Sequence, residues 1–126
     1  MSGDACLLLA DFNSGNLAAC LRNDQTAPLL EVAEAPYDQV VPILADAGHA
    51  SWAADAQIAV VWTRPEAVSP TFSAILRGDV ADLGRLAAEV DRYTELLVEA
   101  GLRVQLMLVP TWVVPTYRRG LGMSDF

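Results

Sequence analysis

Two stretches, Cys6-Leu7-Leu8-Leu9-Ala10 and Ile58-Ala59-Val60-Val61-Trp62, are apolar at every position and stop at polar, turn-forming residues. A strand with one wet face alternates apolar and polar side chains, whereas a run without alternation needs cover on both faces. A parallel sheet sandwiched between helices meets that need. The intervening stretches have the spacing of those helices. Behind the turn Asp11-Phe12-Asn13-Ser14-Gly15-Asn16, Leu17 and Leu21 lie four apart, predicting a short helix from Leu17 to Arg22 capped by Ser14 or Asn13. Leu29 to Ala33 reads as a second strand, placed at an edge because Glu31 interrupts it.

Pro36-Tyr37-Asp38 then opens a second helix, with Asp38 as N-cap and Val40, Val41 and Leu44 facing inward. Ala45 to Ala56 is a loop or broken helix carrying His49 and Trp52. A long helix is expected from Val80 to Ala100, capped by Asp79 and closed by Gly101. Its stripe is Val80, Leu83, Leu86, Val90, Tyr93 and Leu97, with ion pairs Asp82/Arg85 and Glu89/Arg92 on the outside. Val104 to Val109 forms the fourth strand. The chain is therefore predicted to be α/β: a three-layer, doubly wound parallel sheet ordered 2-1-3-4 as in flavodoxin-like folds. Leu7, Leu9, Val60, Leu106 and Leu108 are its expected core. Tyr117 to Phe126 reads as loop, so the sheet is expected to be incomplete at its C-terminal edge. The 126 residues are expected to form one domain, 1–126, at the front of a longer chain.

Composition narrows the function. An apolar fraction of 53% excludes intrinsic disorder. Sixteen acidic residues face eight basic ones, all arginine, for a net charge of −8. Such a surface repels polyphosphate, so no nucleic-acid partner is expected. Without lysine there is no P-loop, no Schiff base and no polybasic membrane anchor. No apolar run reaches membrane-span length, and Met1-Ser2-Gly3-Asp4 lacks a signal peptide's basic start, which points to the cytoplasm and no membrane partner. Cys6 and Cys20 cannot complete a zinc site and are expected to be small buried hydrophobes. No metal or cofactor motif is present in the sequence, and none is expected.

In a sheet of this kind, ligands sit beyond the carboxyl ends of the strands. Asp11, Asn13, Ser14, Asn16, Thr63, Arg64 and Glu66 follow strands there, and Trp112 follows the fourth. They are expected around one concave surface. Ser14 and Asn13 could act as nucleophile and oxyanion donor, with Asp11 in support, or could simply build an Asx-turn and helix cap. Arg64, the one basic residue directly behind a strand, either holds an anionic ligand group or pairs with Asp11 or Glu66. Trp62 and Trp112 either line a pocket or pack. His49, the only histidine, belongs to the opposite end of the strands and is a poor partner for Ser14. Glu31 and Glu34 flank the edge strand and are expected in solvent.

The segments CLLLADFNSGNLAACL, EVAEAPYDQVVPIL, IAVVWTRPEAVSPTF and LMLVPTWVVPTYRRGLG, in that order, resemble the N-terminal SGNH-hydrolase-like domain of FkbH-like proteins. In that family the domain precedes a haloacid-dehalogenase-type (HAD) phosphatase domain. The complete architecture loads a glyceryl-type unit from a phosphorylated precursor onto an acyl carrier protein in polyketide-type biosynthesis. The resemblance implies a downstream HAD-type domain and a carrier protein as partners. Asp11 matches the aspartate of the Gly-Asp-Ser block, but Phe12 stands where that block has serine, and Ser14 follows two residues later. No Asp-x-x-His, the motif that supplies the base, follows the fourth strand, and the paired-aspartate HAD motif is absent from these residues. The resemblance thus implies an accessory, non-catalytic domain, with a degenerate or substrate-assisted esterase using Ser14 as the alternative.

Overall fold

The computed structural model describes residues 4–26 and 29–113. The elements run β1 (Asp4–Ala10), α1 (Gly15–Asn23), β2 (Leu30–Glu34), α2 (Val40–Ala45), a 3-10 turn (Ala50–Ala54), β3 (Ile58–Trp62), α3 (Pro65–Val68), α4 (Pro70–Leu76), α5 (Leu83–Gly101) and β4 (Leu106–Leu108). All pairings are parallel, and the sheet order is β2-β1-β3-β4. The chain is an α/β protein with helices on both faces of the sheet, and β2 lies at an edge as Glu31 suggested. The loop expected from Tyr117 to Phe126 lies outside the described residues.

Alternation along β1 divides the core. Leu7 and Leu9, with Val61 of β3, face α2 and α5 and pack on Val40, Ile43, Leu44, Tyr93, Leu96 and Ala100. Cys6 and Leu8 face the other way, onto Ala18 and Leu21 of α1 and Val32 of β2. Both faces of β1 are dry, which is why its sequence does not alternate. On the α1 side, the register aligns Cys6 with Ile58 and Leu106, and Leu8 with Val60 and Leu108. Among the described residues, the nine-residue α1 is the helix on that side; it covers β1 and β2 and does not reach β4. Val60 is only partly buried, and Leu106 and Leu108 remain 49% and 48% exposed, so these three are not core residues as expected. Among the described residues nothing pairs with the outer edge of β4.

Several local expectations are corrected. Gln39, not Asp38, occupies the N-cap of α2, and Asp38 sits in the left-handed region with φ 56°. The long helix begins at Leu83 because the Asp82 side chain, not Asp79, accepts from the Arg85 amide. Val80 and Leu83 consequently stay in solvent, and the buried stripe is Tyr93, Leu96 and Ala100. Asp82 caps instead of pairing with the Arg85 side chain. Glu89 turns away from Arg92 toward α4, and Arg92 pairs with Glu95 at 3.5 Å. Helices α3 and α4 were not anticipated; each opens on a proline, whose fixed φ suits the first helical position. Cys6 is buried, but Cys20 is exposed on α1.

Candidate functional site

Parallel pairing sets the C-terminal ends of β1, β2 and β3 side by side, and the loops behind them enclose two neighbouring hollows. The first, of about 380 Å³, is lined by Ala10, Phe12, Asn13, Ser14, Glu34, Ala35 and Tyr37. The second, of about 260 Å³, is lined by Asp11, Asp38, Val40, Val41, Thr63 and Val68 among others. Among the described residues, the expected site residues are divided between these two hollows. Asn13 and Ser14 line one, Asp11 and Thr63 the other.

In the first hollow, Asn13 Oδ1 accepts from the Gly15 amide at 3.0 Å, an Asx-turn that starts α1. Ser14 holds the N-cap position but makes no side-chain cap bond. Its hydroxyl instead donates to Glu34 Oε1 at 3.0 Å, so Glu34 is not a merely solvated edge carboxylate. Arg22 approaches Glu34 Oε2 only to 3.8 Å, its guanidinium being held by the Val32 carbonyl at 2.9 and 3.2 Å. Phe12 meets Trp62 edge to face with ring centroids 5.5 Å apart. Tyr37 stands largely exposed at the rim. Asn16 is exposed on the first turn of α1 and lines neither hollow.

In the second hollow, the buried carboxylate of Asp11 accepts from the Arg64 backbone N–H at 2.7 Å and from Arg64 Nε at 3.3 Å. The Arg64 guanidinium also donates to the Asp11 carbonyl at 3.3 Å and lies 4.0 Å from Glu66. Of the two roles left open by the sequence, Arg64 is placed in the internal pair. Glu66 Oε2 is buried without a hydrogen-bond partner. Thr63 Oγ1 lies 2.8 Å from Tyr93 Oη and accepts from Trp112 Nε1 at 2.9 Å, while Trp112 stacks on Tyr93. Burial pushes the Tyr93 phenol above its ordinary range, and the Thr63 hydrogen bond opposes that rise. These contacts tie the chain after β4 to β3 and α5, so Trp112 packs here, whereas Trp62 packs edge to face on Phe12 and lines neither hollow.

His49 precedes the 3-10 turn and accepts from the Ser51 amide through Nδ1 at 3.1 Å. That turn leads into the start of β3, so the histidine lies at the sheet end opposite Ser14. The residue that sequence reasoning set aside is Glu34. Its signal was available: a polar residue closing a strand beside β1 must neighbour the loop that follows β1. No group of three or more metal-ligating side chains occurs among the described residues. No described helix is long and apolar enough to cross a membrane. Comparison of the chain with family models, with curated proteins and with solved structures finds no match.

Proposed function

We propose that this chain is an accessory, non-catalytic binding domain of the SGNH-like type. In this reading it holds a ligand or carrier-bound group in the cleft beside Ser14 for a HAD-type phosphatase/acyl-transfer domain downstream. The resemblance to FkbH-like proteins suggests the context, loading of a glyceryl-type unit onto an acyl carrier protein in the cytoplasm. The observation that carries the non-catalytic part is the engagement of Ser14. Its hydroxyl is held by Glu34, and the only histidine lies at the other end of the sheet. A serine hydrolase needs a base that takes the nucleophile's proton and later returns it to the leaving group, usually an imidazole. Asp11 cannot assume that role while Arg64 occupies its carboxylate.

The test is carrier loading by an FkbH-type HAD domain supplied without its own N-terminal domain. Adding this chain should raise the loading rate, and Ser14→Ala should weaken that gain without abolishing it, as the loss of one binding contact does and the loss of a nucleophile does not. A chain that leaves the rate unchanged would overturn the accessory reading. The second reading, an esterase, rests on the 3.0 Å Ser14–Glu34 contact. Glu34 would take the hydroxyl proton as Ser14 Oγ attacks the acyl carbon, then return it to the departing alcohol. Water would then release the acid from Ser14. Hydrolysis of short p-nitrophenyl esters that disappears in both Ser14→Ala and Glu34→Gln would favour it.

A further inference from the structure

We infer that the hollow beside Ser14 takes a small molecule presenting a primary ammonium group on an apolar or aromatic body. The inference rests on the binding part of that reading alone, that this cleft holds a ligand, and not on the glyceryl context. Among the described residues, Glu34 is the only charged one that lines the hollow. Its carboxylate is only loosely paired within the protein. Arg22 stays 3.8 Å away and spends its hydrogen bonds on the Val32 carbonyl. Among the described residues, Arg64 also stands on this edge of the sheet, and it is bound to Asp11. The chain's net charge of −8 favours the approach of cations over anions.

The remaining lining has the chemistry of an amine site. Because the Ser14 hydroxyl donates to Glu34, its oxygen is left free to accept. Ser14 Oγ and the Glu34 carboxylate thus offer adjacent acceptors to a group with three donors. Phe12 and Tyr37 provide aromatic surface beside them, which attracts a cation at the ring faces and an apolar body elsewhere. Ala10 and Ala35 keep the floor open. A volume of about 380 Å³ suits a small molecule and is too little for a folded partner segment.

Benzylamine and benzyl alcohol, which share shape and differ in charge, separate the parts of this inference. Each is titrated into the full chain by calorimetry, with backbone amide shifts followed by NMR. Benzylamine is expected to bind at least about tenfold more tightly than benzyl alcohol, with shifts at Phe12, Asn13, Ser14, Ala35 and Tyr37. Glu34→Gln should erase that difference while leaving benzyl alcohol binding intact. The wild-type comparison needs no variant, so a Glu34→Gln protein that fails to fold does not remove the test. Equal binding of the two probes in the cleft overturns the amine assignment and leaves the binding reading standing. Shifts confined to other surfaces, or inorganic phosphate binding in the cleft more tightly than benzylamine, overturn it as well. The carrier-loading assay judges the accessory reading by itself, whatever these titrations show.

Discussion

Asp11 and Arg64 form one ion pair but are expected to respond very differently to truncation. The Asp11 side chain is 3% exposed and that of Arg64 is 54% exposed. Asp11→Ala removes the acceptor of the Arg64 backbone N–H, a 2.7 Å charge-assisted bond that anchors the start of α3 to the end of β1. That N–H is left without a partner, and the Nε contact goes with it. A lost bond of this kind costs about 1.5–3 kcal/mol, and the orphaned donor brings the total to about 2–4 kcal/mol. Arg64→Ala keeps the backbone N–H in place. It removes only the 3.3 Å Nε contact and the donation to the Asp11 carbonyl, both at a position that water can reach. Half-exposed pairs of this kind contribute about 1 kcal/mol or less.

For a chain of 126 residues, the usual unfolding entropy makes each kcal/mol worth about 4 °C in Tm. Asp11→Ala should therefore lower Tm by about 8–15 °C and Arg64→Ala by about 4 °C or less. Urea unfolding of both single variants and the double variant gives the coupling directly. A coupling near 1 kcal/mol or below is expected, since most of the Asp11 cost lies in the backbone bond. If Arg64→Ala proves as damaging as Asp11→Ala, the guanidinium and not the backbone N–H is the anchor, and the reasoning fails.

Leu9→Ala or Ile43→Ala, both fully buried between the sheet and α2/α5, should each cost about 2–5 kcal/mol in urea unfolding. Leu106→Ser and Leu108→Ser, both half exposed on β4, should each cost about 1 kcal/mol or less, and a core-sized loss would show that this face is covered in solution. Glu89 accepts from Ser69 and from the Thr71 amide and hydroxyl, and the Thr71 bonds hold its carboxyl below the ordinary range. Its contribution is complete above the unfolded pKa and disappears as pH falls through the lower folded one. Melting curves between pH 7 and pH 3 should thus show a smaller acid-induced drop in Glu89→Gln than in wild type. Tyr93 is shifted the other way, so its contribution is present below the unfolded pKa and lost as pH rises through the folded value. An ultraviolet titration should show a late-ionising phenol that is absent in Tyr93→Phe.

The parts of this fold that were legible in the sequence are those where one physical requirement acts alone. Ile58–Trp62 appears as a strand with the predicted bounds because five consecutive apolar residues between polar turns have few other homes. Glu31 marked β2 as an edge strand because a carboxylate is not tolerated between two covered neighbours. The start of α5 was misread because two requirements compete there. Val80 and Leu83 fit the apolar stripe, but the Asp82 side chain fixes the first turn and leaves both outside the packed face. Helices α3 and α4 were missed because Pro65 and Pro70 look like breakers, although a proline at a helix's first position breaks nothing.

The exposed side chains of β4 follow from a different cause. Whether Leu106 and Leu108 are buried depends on which helix crosses that part of the sheet, and no property of the strand's own residues specifies it. The same non-local dependence governs the cleft. Ser14 beside Asn13 before a short helix reads locally as a cap, and the Asn13 bond to the Gly15 amide supplies the local structure by itself. That frees the Ser14 hydroxyl for a partner twenty residues away, and the parallel register of β1 and β2 determines which one. Asp4 pairs with Leu30 and Leu8 with Glu34, so the carboxylate closing β2 arrives where the chain leaves β1. A one-residue slip of β2 would turn Glu34 to the opposite face of the sheet and leave Ser14 unpartnered. The cleft therefore exists only because Val32, the buried apolar residue of β2, packs against Ala18, Cys6 and Leu8 and holds that register.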